Sequence, residues 1–169
     1  MFNNNYWKMR AYCANTVPPT SYAQISIGVK DKSGNAVTNG YVISGNTVAP
    51  YFSSMWNYAI ATRLIVGTGD TEATANDVDL ESSAMSSLSN VSFSYICGAD
   101  DDQLTTVFSL SASNETSSDI VITEVGLETG ISDSNYDEVK ILTAREVLKN
   151  PITIPAGGSK VITITAVNK

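Results

Sequence analysis

The chain has 169 residues and no histidine. This removes Ser-His-Asp and Cys-His nucleophile triads, imidazole-based zinc sites and the commonest general base at neutral pH. Carboxylate-only catalysis would need two acids on rigid elements flanking a cleft. The acids here fall mainly in segments with turn chemistry, at Asp31, Asp70, the Asp100-Asp101-Asp102 run, Asp133 and Asp137, and are expected to be solvated. Gly67-Thr68-Gly69 resembles part of a phosphate loop but lacks the third glycine and a Gly-Lys-Ser/Thr ending. Its expected role is steric, since glycine lets the backbone leave a strand through conformations other residues disfavour. Calcium is the one ion to weigh. Asp70, Asp77 and Asp79, or the Asp100–Asp102 run, would supply hard oxygen ligands, but neither group has EF-hand spacing. The reading therefore assigns no catalytic residue, no cofactor and no metal, and keeps these aspartates as the calcium candidates.

Two charges stand out because they interrupt apolar or hydroxyl-rich strands. Glu124 lies in Ile122-Thr123-Glu124-Val125-Gly126-Leu127 and Arg145 in Leu142-Thr143-Ala144-Arg145-Glu146-Val147. They either pair across neighbouring strands and fix the register, where a one-residue slip would turn over every side chain, or stand as independent solvated charges.

The elements that must position these residues are strands. Ala23–Lys30 alternates, with Ile25, Ile27 and Val29 on one face and Gln24, Ser26 and Lys30 on the other. Asp31–Asn35 reads as a turn, and Asn39-Gly40 before Tyr41-Val42-Ile43 as a hairpin signal. Arg63–Val66 is a short apolar strand. Asp77 to Leu88 is the one helix candidate, with Asp77 as N-cap and Leu80, Ala84 and Leu88 on one face. Strands are then expected over 91–96, 105–112, 120–127, 140–147, 152–154 and 160–167. Polar turns at 114–119 and 155–158 separate some of them. No repeat of solenoid or propeller period is present.

The composition agrees. Charged residues are 16% and hydrophobic residues 43%, enough for a core. The abundance of serine and threonine suits the outer faces of strands better than exposed helices. The expected fold is all-β, an antiparallel, jelly-roll-like β-sandwich with an extended N-terminal arm and at most one short helix. Residues 1–20 form the arm, 21–60 a hairpin and aromatic segment packing on the main domain, and 61–169 the sandwich. Phe2, Tyr6 and Trp7 are the arm's expected assembly residues, and the Pro18-Pro19 pair marks its boundary. Such an aromatic-rich arm either packs back on its own domain or docks onto another subunit.

A net charge of −7 with ten scattered basic residues argues against nucleic acid or an anionic membrane as partner. No apolar leader or membrane-spanning stretch is read, so the chain is expected to be made in a cytoplasm and to stay soluble or assemble there. Cys13 and Cys97 share no short motif and are expected to be reduced fillers.

Three pieces taken in order carry a resemblance. They are Leu64-Ile65-Val66-Gly67-Thr68-Gly69-Asp70 with Asp77 and Leu80 downstream, Ile122–Leu127, and Leu142–Val147. Over residues 62–167 this order resembles tailed-bacteriophage virion structural proteins of the head-fibre, capsid-decoration or tail-fibre type. There a Gly-Thr-Gly turn precedes a spaced Asp and Leu, then a Glu-Val-Gly-Leu strand and an Ala-Arg strand. The resemblance implies a non-enzymatic β-sandwich displayed on a virion, homo-oligomeric and commonly trimeric, bound to capsid, portal or tail components and assembled in the bacterial host's cytoplasm. Two competing functions remain. One is a receptor- or glycan-binding module using Trp56 and nearby tyrosines; the other is a small carboxylate hydrolase.

Overall fold

A computed structural model of the chain describes residues 2–6, 23–25, 29–37, 40–42, 62–100, 103–132 and 138–168. Ten strands account for most of them: β1 Ala23–Ile25, β2 Val29–Lys30, β3 Ala36–Val37, β4 Gly40–Val42, β5 Arg63–Gly67, β6 Ser89–Asp100, β7 Gln103–Ser113, β8 Ile120–Ser132, β9 Glu138–Ile154 and β10 Ser159–Asn168. The fold is all-β and sandwich-like, as the alternation and turn chemistry require. One sheet runs β1-β4-β8-β5, with β9 also on β8; a second runs β10-β7-β6; β2 and β3 form a two-stranded ribbon. The chain divides into two compact units.

The first unit comprises Met1–Thr62, Glu72–Leu80 and Gly126–Glu146. Its β2–β3 turn is the expected one. Asp31 Oδ1 accepts hydrogen bonds from the backbone N–H groups of Ser33 and Asn35, and Gly34 takes φ +82°, where a side chain would be strained. Asn39 of the expected Asn39-Gly40 hairpin lies outside the described residues. Strand β4 pairs with β1, Ala23 opposite Val42, and touches β8 at Tyr41 opposite Ser132. Val29, Val37, Leu127, Ile141 and Leu142 are buried in this unit.

The second unit comprises Arg63–Thr71, Glu81–Val125 and Val147–Lys169. Strand β7 is the centre of its sheet. Leu110 lies opposite Phe93 on β6 and Ile162 on β10. The alternation then places Phe108, Leu110, Ala112 and Ile162 in the core, where Leu64, Ile65 and Val66 of β5 are also buried. Each fully buried Leu, Ile or Phe stabilises by roughly 2 kcal/mol. Strand β6 carries a bulge between Ser89 and Ser92, with Asn90 at φ 49°.

The helix expected over 77–88 does not form. Residues 82–84 run alongside β5, with Ala84 N donating to Val66 O and Gly67 bridging Ser83, and only Met85–Ser87 makes a 3-10 turn. Leu80 and Ala84 are both buried, but the segment between them runs through bends and a single bridge to β5 rather than a helix.

The two turns expected at 114–119 and 155–158 are joined through one side chain. Buried Asn114 donates from Nδ2 to the carbonyls of Ser118 and Ile154, and its Oδ1 accepts from the N–H and hydroxyl of Thr116. Asn114→Ala leaves these groups unpaired inside the unit, which costs about 2–3 kcal/mol. A urea-unfolding midpoint within error of wild type would rule out this role for Asn114.

Candidate functional site

In the second unit the Gly-Thr-Gly segment is built around Glu124. This carboxylate is 0% exposed. Its Oε1 accepts from the N–H of Gly69 at 3.1 Å and of Ser82 at 2.8 Å, and its Oε2 accepts from the N–H of Glu81 at 3.1 Å. The two loop segments are thereby drawn to one strand residue. Thr68 N donates to Ser82 O, and the Thr123 hydroxyl donates to Gly69 O, which completes the clasp. The glycines are explained by close approach. A β-carbon on Gly67 would strike the Glu124 carboxylate and lie 2.5 Å from Ser82 O; one on Gly69 would lie 2.5 Å from the Glu81 β-carbon. Glu81 itself accepts from the N–H and hydroxyl of Thr71.

In the first unit Arg145 is 4% exposed and donates from a terminal guanidinium nitrogen to Asp77 Oδ2 at 2.9 Å. The Thr74 N–H and hydroxyl also donate to Asp77. Beside this pair, Gly126 lets two leucines close in: a β-carbon there would sit 2.9 Å from both Leu80 and Leu142 methyl groups. The N-terminal residues are part of the same unit. Phe2 bridges Ala144 and stacks on Tyr6, with ring centroids 4.1 Å apart. Asn3 donates from Nδ2 to Asp77 O and Leu142 O, and Asn5 donates to Lys30 O and Leu142 O. Lys32 Nζ is held 2.5 Å from Glu128 and 3.1 Å from Asp79.

Neither charge is solvated, as the alternative to a cross-strand pair would have it. Each side chain is buried, with Glu124 directed at backbone N–H groups and Arg145 at Asp77. Residues 2–6 of the expected extended arm contain a helical turn at 4–6 and dock on their own chain. Of the calcium candidates, Asp77 and Asp79 hold cationic side chains, and Asp70 is exposed. Among the described residues no group of three or more His, Cys, Asp or Glu is placed to hold a metal ion. Trp7, Cys13, Trp56 and the aromatic cluster around it, Asp101, Asp102 and Asp133 lie outside the described residues, as do Pro18 and Pro19. Asn3, Asn5, Lys32 and Glu128 escaped the sequence reading. The three asparagines read as plain polar arm, and a lysine in a turn looks solvated.

Comparison with protein-family models, curated proteins and solved structures returned no match. No described helix is long and apolar enough to cross a membrane.

Within their own units, the pieces singled out in the sequence touch one another: Gly67 and Gly69 meet Glu124, Asp77 meets Arg145, and Leu80 meets Gly126. What this arrangement does chemically is hold backbone. The carboxylate and the guanidinium are both directed at structural partners.

Glu124→Gln swaps one acceptor oxygen for an NH2 that faces backbone donors, and should cost at least about 2 kcal/mol. Gly69→Ala should cost about 1–3 kcal/mol through overpacking, whereas exposed Thr68→Ala should stay within about 0.5 kcal/mol. Equal denaturation midpoints for the three variants would refute the clasp.

Burial alone would raise the Asp77 pKa, but the hydrogen bonds from Arg145 and Thr74 outweigh it and hold the carboxyl below 3.8. A carboxyl depressed in the folded state adds stability that is complete above its unfolded pKa and is lost as pH falls through the folded one. Lys32 is the mirror case. Burial would lower its pKa, yet Glu128 and then Asp79 hold it above 10.5, so its contribution is present below 10.5 and is lost as pH rises through the folded pKa. Asp77→Asn should therefore flatten the loss of stability below pH 3.8 and leave the alkaline limb as it is. Melting temperatures taken across the pH range check this; an unchanged acid limb counts against the pair.

Proposed function

We propose that this chain is a non-enzymatic structural protein of a tailed-phage virion, of the head-fibre or capsid-decoration kind. It displays its β-sandwich on the particle and assembles with copies of itself, as a trimer. Its other partners are capsid, portal or tail components, met in the bacterial host's cytoplasm.

The supporting observation is the mutual contact of the motif residues. Short motifs arising by chance would scatter over a fold; here each has a partner drawn from the same set. The two charges that interrupt the strands, Glu124 and Arg145, are buried and bonded to structure. Attachment falls to the N-terminal segment after Tyr6, residues 7–20, since residues 2–6 are held by their own unit.

Quantitative mass spectrometry of gradient-purified particles from a producing host tests the reading. The chain should be present at tens of copies or more per particle and should remain through a high-salt wash. Its absence from particles, with the chain present in the same lysate, would sink the proposal.

A further inference from the structure

In the first unit the Lys32 amine has two carboxylates around it, and they differ in kind. Its Nζ is 2.5 Å from Glu128 Oε2 and 3.1 Å from Asp79 Oδ1. Glu128 lies on β8 and is 2% exposed, whereas Lys32 and Asp79 are half-buried. Separate pieces of structure hold each group in place. Lys32 sits in the Asp31–Asn35 turn, and the residue before that turn is fixed by Asn5, which accepts from the Lys30 N–H and donates to the Lys30 carbonyl. Asp79 Oδ1 accepts from the N–H of buried Leu80 at 2.8 Å. A surface ion pair needs only one acid and little order. Here an amine is set against one acid by its contact with a second that is out of water, and a backbone donor already points at the first.

The geometry points to a covalent cross-link: Lys32 Nζ condenses with Asp79 Cγ into an intramolecular isopeptide bond, with Glu128 carrying the protons. Glu128 takes a proton from the ammonium, and the freed lone pair on Nζ adds to Cγ. Two of the three ammonium protons travel by way of Glu128 to Asp79 Oδ2. The Cγ–Oδ2 bond breaks and that oxygen leaves as water, while the third proton stays on the amide nitrogen. One positive and one negative charge are consumed, and Glu128 ends as it began. Asp79 is the electrophile because the Leu80 N–H stabilises the negative charge that Oδ1 gains as nitrogen adds. Its half-exposed position also lets the water escape. Glu128, buried and in contact with the nitrogen, is placed to move protons. Free ammonium and carboxylate ions do not condense in water, but groups fixed in contact react as if present at on the order of 10⁵ M or more. The ion pair described above, with its alkaline limb, belongs to the chain before reaction; the amide that replaces it does not titrate. The bond does not depend on where the protein works.

Intact-mass spectrometry of the full chain reads the reaction, once the folded protein has been held at mildly alkaline pH until its mass is constant. Wild type should be one water lighter than its sequence mass, and a protease digest should contain a branched peptide joining Lys32 to Asp79. Lys32→Arg keeps the positive charge but has no amine to condense, and it should keep its full sequence mass with wild-type circular dichroism. Asp79→Ala should do the same. Glu128→Gln leaves both reacting groups in place and should form the bond about a hundredfold more slowly. A folded wild type that stays at its full sequence mass overturns the proposal. So does a missing water that persists in Lys32→Arg, or a branched peptide that joins Lys32 to Glu128 instead. A folded Glu128→Gln chain that reacts at the wild-type rate overturns the part given to Glu128.

Discussion

A carboxylate buried out of reach of water has to be met by donors, and at Glu124 these are the N–H groups of Gly69, Glu81 and Ser82. Much of the second unit's local structure follows from that one requirement. Backbone N–H groups can converge on a carboxylate only if the chain comes very close, and only glycine permits this at positions 67 and 69. The segment after residue 80 must then lie along β5 rather than coil, because its own N–H groups are turned to the same carboxylate. A helix over 77–88 would have directed those groups back along its own axis. The strand-like path, the Gly-Thr-Gly sequence and the isolated glutamate are one solution to a single electrostatic demand.

The first unit has its own version of that demand. Arg145 is nearly without solvent, and Asp77 meets it from a loop that Asn3 and Asn4 tie down through the carbonyls of Asp77 and Ala75. Lys32, Glu128 and Asp79 form a second charged group. Removing one member of a buried pair is far more damaging than never having had the pair. Such groups therefore favour one arrangement of the loop more than they add to overall stability.

Strand alternation and turn residues were enough to read the class of fold and most strands of the second unit, because a period of two and a polar turn are local properties. Asp31–Asn35 and Asn114–Asp119 act as their side-chain chemistry says. What failed was non-local. Glu124 and Arg145 were recognisable as odd, but backbone donors and a loop aspartate 42 to 68 positions away lie beyond the reach of any spacing rule. The helix misreading has the same root. The apolar spacing of Leu80 and Ala84 is ambiguous between helix and irregular burial until the neighbouring strand is known. The asparagines near the N-terminus carry no pattern of their own, because a carboxamide that donates to a distant carbonyl looks the same in sequence as one facing water.

The bonds from Asn3 and Asn5 to the carbonyl of Leu142 also set an order of events in the making of the protein. Asn3 and its acceptor are 139 residues apart, and ribosomes add ~5–20 residues per second. Asn3 and Asn5 thus wait on the order of ten seconds for the strand they hold. Until then the small β2–β3 ribbon has no β8 or β9 to complete its unit, and Val29 and Val37 face water. The delay makes β9, rather than the earlier strands, the step that completes this unit.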